Sequence, residues 1–217
     1  MKSANLPTVF RRLRQDAKAW RTPVVTKISY QLNPFKVLVS CLLSLRTRDK
    51  DTEAASKRLF DLADTPKKIL RLAPRQVEKT IYPVAFYRKK TMSLFDICQS
   101  IIDHYGGDVP DTLDQLLKLK GVGRKTANLT LTLGHGKLGV CVDTHVHRIS
   151  NRWGFVQTES PYETEMVLRK KLPKRYWIEY NDLLVSFGQN MCKPKSPYCS
   201  QCRIKDFCKQ VGVKLYR

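Results

Sequence analysis

Acidic residues are scarce in this chain, long apolar runs are missing, and alternating strand-like patterns are nearly absent. Each shortage excludes something. Asp and Glu number 19 against 40 Lys and Arg, a formal net charge of +21 over 217 residues. The surplus runs along the whole chain, so a polyanionic partner is the default expectation for a folded domain. A solvated basic surface with no specific partner is the blander alternative, and charge alone does not separate DNA from RNA or an anionic membrane. No apolar stretch is long enough to span a bilayer, and residues 1–16 carry no apolar leader segment. The expectation is an intracellular protein with no membrane partner. The 42% apolar content is enough for one or two cores. Seven cysteines in a reducing compartment argue against a disulfide scaffold. Cys41, Cys98 and Cys141 sit in apolar contexts, where a buried thiol behaves as a small hydrophobe. The other four crowd near the end.

What is present is helical periodicity. Val9, Phe10, Leu13 and Ala17 mark one face of a first helix. Asn33-Pro34 reads as an N-cap and first-turn proline ahead of an apolar helix from Phe35 to Leu45. Another helix is expected from about Asp51 to Ala63, and Thr65-Pro66 and Pro74 open two more. Met92, Phe95, Cys98 and Ile102, widened by Leu94, Ile97 and Ile101, form a stripe between Arg88 and His104. Residues 106–110 read as a loop. Thr112 with Gln115 forms a capping box, Ser160-Pro161 opens a late helix, and an aromatic-rich helix covers Trp177 to Phe187. The fold class is all-α.

Two segments carry chemistry. In Leu119-Lys120-Gly121-Val122-Gly123-Arg124-Lys125-Thr126-Ala127-Asn128, two glycines turn the chain between a capped helix and a new helix start. Glycine allows positive φ and close approach of backbone to a ligand, and the amides of such a turn face outward as an anion site. That is a helix-hairpin-helix, which grips DNA phosphate without reading sequence. An ordinary helix–helix turn with convenient glycines is the plainer reading, and for Lys125 a simple phosphate contact. The second segment is Cys192, Cys199, Cys202 and Cys208, spaced C-x6-C-x2-C-x5-C. Four thiolates hold either a [4Fe–4S] cluster or a structural zinc.

The hairpin segment, together with Val142-Asp143-Thr144-His145-Val146-His147-Arg148 and the four cysteines, resembles the signature of the endonuclease III family. The resemblance runs from the first helix to Cys208. It implies two helical lobes: a six-helix barrel carrying the hairpin, over residues 27–137, and a [4Fe–4S] cluster lobe built from both termini, residues 1–26 and 138–217. It implies a base-excision glycosylase/lyase that removes oxidised pyrimidines from double-stranded DNA and cuts at abasic sites. Such a protein would work as a monomer, in the cytoplasm and at the nucleoid. Lys125 matches the family's nucleophile and Asp143 its assisting carboxylate. Gly121, Val122, Gly123 and Arg124 match the phosphate-gripping turn, and the four cysteines match the cluster ligands, with Lys193 and Lys195 on the basic loop between the first two.

A lysine attacks only when neutral, and its reference pKa is about 10.4. A helix start and neighbouring Lys120 and Arg124 would favour the neutral amine. Asp143 also reads as the N-cap before Thr144, a role compatible with catalysis. His145 and His147 read as structural or phosphate-contacting. Leu42-Leu43-Ser44-Leu45-Arg46-Thr47-Arg48-Asp49 is similar to the family's gap-filling segment, with Arg46 where glutamine is usual. Phe86, in Val84-Ala85-Phe86-Tyr87-Arg88-Lys89-Lys90, replaces the leucine that wedges into the duplex, and Lys120 replaces a proline. The departures at Arg46 and Phe86 keep a glycosylase for another lesion or mismatch in play; a hairpin module that has lost catalysis is the non-enzymatic alternative, against which Lys125 and Asp143 speak.

Overall fold

The computed structural model describes residues 1–20, 25–26 and 33–217. The expected boundary at 26–27 falls at the edge of that description, residue 27 lying outside it. Among the described residues the regular structure is helical, with no strand. The chain divides into two compact units, Met1–Pro23 with Val140–Arg217, and Val24–Gly139.

The second unit is built around α2 (Pro34–Ser44). Asn33 caps it by accepting from the Lys36 amide at 3.0 Å. Nearly every side chain from Phe35 to Leu43 is buried, so the helix is apolar all round and serves as a core element. Around it lie α3 (Asp49–Leu62), α4 (Pro66–Leu70), α5 (Pro74–Ile81), α6 (Tyr87–Tyr105), α7 (Leu113–Lys118) and α8 (Arg124–Leu129). Their inward residues, among them Leu59, Ile69, Ile81, Leu94, Ile97 and Leu116, form one apolar core with α2. Thr65 and Thr112 cap α4 and α7 as expected. The stripe expected on α6 is off centre. Met92 is 58% exposed, whereas Lys90, Thr91, Leu94, Ile97, Cys98 and Ile101 face inward. Polar residues at 90 and 91 disguised the true inner face.

The first unit packs α1 (Leu6–Ala17) against α9 (Thr144–Arg152), α10 (Pro161–Lys171) and α11 (Trp177–Asn190). Leu6, Val9, Phe10 and Leu13 are fully buried, and Ala17 packs at the margin. The Phe10 ring lies 4.2 Å from Tyr176 and 5.9 Å from Tyr180. Tyr180 is buried with its hydroxyl 2.9 Å from Ser150 Oγ, the partner such a group needs away from water. A side chain at Gly188 would run into the His145 ring and the Arg148 guanidinium, so these side chains of α9 would have to shift. Arg14 clamps Glu179 through Nε at 2.9 Å and Nη2 at 2.5 Å.

Candidate functional site

The hairpin is formed. Helix α7 ends at Lys118, Leu119 follows as its C-cap, and the Val122 amide returns to the Leu119 carbonyl at 3.0 Å. Gly121 has φ +84°, a conformation other residues rarely adopt, and Gly123 has the extended φ of −88°. Both glycines are exposed while Val122 is buried as the anchor of the turn. Helix α8 opens at Arg124, with Lys125 half-buried in its first turn. The helix runs straight into a π-helical turn, Thr130–Gly134. Three side chains reach back along it: Asn128 Nδ2 to the Arg124 carbonyl at 3.0 Å, Thr130 Oγ1 to Thr126 at 2.9 Å, and Thr132 Oγ1 to Asn128 at 2.8 Å. Such turns are rare inside helices and favour functional places. Cys41 of α2 lies behind Lys125; burial pushes its thiol up to about 12, against the pull of the Lys125 charge. That thiol stays neutral and is packing. Lys120 points elsewhere, to Asp96 at 3.0 Å, with its side chain 83% exposed.

Asp143 caps α9. Its Oδ1 accepts from the amides of His145 and Val146, both at 2.9 Å. His145 Nδ1 meets Arg148 Nη2 at 3.2 Å, and His147 Nδ1 meets Thr164 Oγ1 at 2.7 Å. Both histidines are engaged in hydrogen bonds that help hold α9.

The four cysteines converge. Cys192, Cys199, Cys202 and Cys208 line one cavity with Trp153, Phe187, Met191 and Ile204. Burial raises the thiols of Cys199 and Cys208 and lifts Cys202 to about 11. Ligand binding there would release protons. Among the described residues, no three His, Cys, Asp or Glu side chains stand close enough to grip one metal ion. Two N–H groups aim at sulfur: Gln210 N at 3.3 Å from Cys208 Sγ, and Arg152 Nη1 at 3.5 Å from Cys192 Sγ. The loop is basic as expected, but its lysines differ. Lys195 is exposed, whereas the Lys193 ammonium lies 5.3 Å from the Tyr198 ring centroid.

Sequence reasoning missed Arg152. It is buried, and donates to the carbonyls of Lys193, at 2.6 Å, and Pro194. It thus shapes the basic loop from a helix forty residues away. Arg148 does similar work by donating to the Cys192 carbonyl at 2.9 Å. Lys90 was also missed. It is 6% exposed and holds the 43–47 turn. Nothing in a basic run such as Arg88-Lys89-Lys90 distinguishes the buried member from its solvated neighbours. Phe86 is 56% exposed and not packed into the core. Arg46 is exposed beside it, its guanidinium carbon 5.9 Å from the Phe86 ring centroid.

Residues 39–174 match the family described as HhH-GPD superfamily base excision DNA repair protein. Endonuclease III of Thermotoga maritima is 47% identical over 178 residues, covering 82% of this chain and 84% of that protein. Endonuclease III homolog 2, chloroplastic, of Arabidopsis thaliana is 42% identical over 183 residues; they cover 80% of this chain but only 47% of that longer protein. The structure of a trapped endonuclease III–DNA covalent intermediate superimposes with a TM-score of 0.84 at 31% identity, covering 97% of both chains.

Proposed function

This chain belongs to the HhH-GPD superfamily of base excision DNA repair proteins and, within it, to the endonuclease III family, and we propose that it removes oxidised pyrimidines from duplex DNA through Lys125 and then nicks the strand. The observation that carries the reading is a lysine in the first turn of the helix that follows a formed hairpin. The turn amides around Gly121 to Arg124 grip backbone phosphate and set the register of the duplex without reading its bases. Lys125 Nζ attacks C1′ of the extruded nucleotide. The C1′–N bond breaks and the base leaves with the bonding pair, taking up a proton. The bound lysine loses a proton as the sugar ring opens to a Schiff base. Loss of a C2′ proton then expels the 3′ phosphate by β-elimination. Asp143, fixed by the two amides it caps, stabilises the positive charge that grows on the sugar as the base departs. Arg46 takes the space vacated by the base, and Phe86 wedges into the stack, lowering the cost of extrusion.

The four cysteines are assigned to a [4Fe–4S] cluster. Supporting this is a cavity lined by all four cysteines, together with their C-x6-C-x2-C-x5-C spacing. When bound, the cluster supplies a rigid four-point tie for the chain. Arg152 and the prolines then hold Lys193 and Lys195 on a basic loop suited to DNA phosphate.

The test is a duplex panel carrying different lesions, each incubated with borohydride. A covalent adduct and strand scission on oxidised pyrimidines are expected. Adducts only with another lesion or mismatch would move the substrate, the reading that Arg46 and Phe86 keep alive. No scission at an abasic site would leave a binding module without catalysis.

A further inference from the structure

Lys90 lies on the inner face of α6, and its ammonium has left water without meeting a carboxylate among the described residues. Nζ donates to the carbonyls of Leu43, at 2.8 Å, and Leu45, at 2.6 Å, and to Thr47 Oγ1 at 3.1 Å. All three acceptors are neutral, and they lie in the last turn of α2 and the turn that follows it. Burial pulls the ammonium down to about 8, and hydrogen bonds made by a charged donor are the strong ones. Thr47 Oγ1 also accepts from the Ala85 amide at 3.2 Å. One hydroxyl therefore joins the turn after α2 to the segment that opens α6.

The two segments meet at their tips. Arg46 has φ 54° and Phe86 has φ 59°, both left-handed and neither glycine. Such backbone states persist where the surroundings over-determine them. Here the surroundings are Lys90 and Thr47. The two tips are exposed, and the Arg46 guanidinium lies over the Phe86 ring, 5.9 Å from its centroid.

We propose that Lys90 is a positioning residue for damage recognition: its ammonium locks the 43–47 turn to the 84–86 turn, so that Arg46 and Phe86 meet the duplex as one preformed unit. This rests on the reading that the chain binds DNA at abasic and damaged sites. A planar guanidinium held over a ring keeps donors free for the duplex. Setting the pair in advance removes the cost of ordering two long side chains at the moment of binding.

The test compares Kd for a duplex carrying a tetrahydrofuran abasic analogue with Kd for the same duplex undamaged. The undamaged Kd divided by the abasic-analogue Kd measures discrimination. Lys90→Met should lower that ratio about tenfold. Loss of folded protein alone would weaken both affinities together and leave the ratio unmoved. Arg46→Ala should lower the ratio as well, and the double variant no further than Arg46→Ala alone, because the lysine acts through the Arg46–Phe86 pair that Arg46→Ala already breaks. If Lys90→Met does not fold, Thr47→Val, which removes the hydroxyl shared by Lys90 and Ala85, carries the same comparison. An unchanged ratio, or additive losses in the double variant, overturns the proposal. A wild-type ratio near one, with no borohydride adduct, would overturn the proposed function itself. Wild-type discrimination that survives Lys90→Met would remove the clamp alone.

Discussion

A cation taken out of water needs acceptors, and Lys90 finds three neutral ones. Its folded value near 8 lies below the ordinary lysine value of 10.5, through burial. The unfolded chain therefore binds the extra proton between those two values, and stability should rise with pH across that window. Lys90→Met should flatten the rise, as read from denaturant unfolding at pH 7.5 and 10. Asp143 offers a different separation. Its Oδ1 accepts from two amides, and an asparagine oxygen can do the same. Asp143→Asn should keep unfolding within about 0.5 kcal/mol of wild type while base removal falls by at least about tenfold. Asp143→Ala should lose about 1 kcal/mol as well. Equal activity in wild type and Asp143→Asn would reduce this residue to a cap. The cap was legible in Asp143-Thr144-His145. Lys90 was not, because burial is a tertiary fact and the run Arg88-Lys89-Lys90 looks uniformly solvated.

At the scale of the element, the hairpin glycines are not equivalent, although the motif writes them alike. Gly121 needs its positive φ of 84°, whereas Gly123 has an ordinary φ and open space where a side chain would begin. Gly121→Ala should cost about 1 kcal/mol. Gly123→Ala should leave stability unchanged or slightly higher, yet weaken binding to an abasic duplex, because an added methyl stands where phosphate approaches. Thermal unfolding and a binding titration on the two variants check this; intact DNA affinity in Gly123→Ala would place the phosphate elsewhere. Helix starts were readable here, since Asn33, Thr65, Thr112 and Ser160 each accept from an amide in the first turn. The inner face of α6 was misread because Thr91 and Lys90 belong to it and Met92 does not. The π turn after α8 left no mark in the sequence that periodicity could find.

For the whole molecule, a net charge of +21 makes DNA affinity steeply salt-dependent. Neutralising six to ten phosphates would cost roughly 10³–10⁵ in affinity between 50 and 200 mM salt, and a flat salt series would contradict a phosphate-gripping surface. The four cysteines were readable because their spacing is local; the arginines that shape their loop were not, because Arg152 reaches it from a distant helix. Purified protein should be coloured and carry about four irons per chain. Cys202→Ala should lose both, whereas a colourless protein with one zinc would overturn the cluster. In the proposed mechanism Lys125 forms the covalent bond to DNA. Borohydride trapping on an abasic duplex tests it most directly, with wild type, Lys125→Gln and Lys120→Gln side by side. Wild type and Lys120→Gln should each give the adduct, and Lys125→Gln none. An adduct of normal yield from Lys125→Gln would contradict the account.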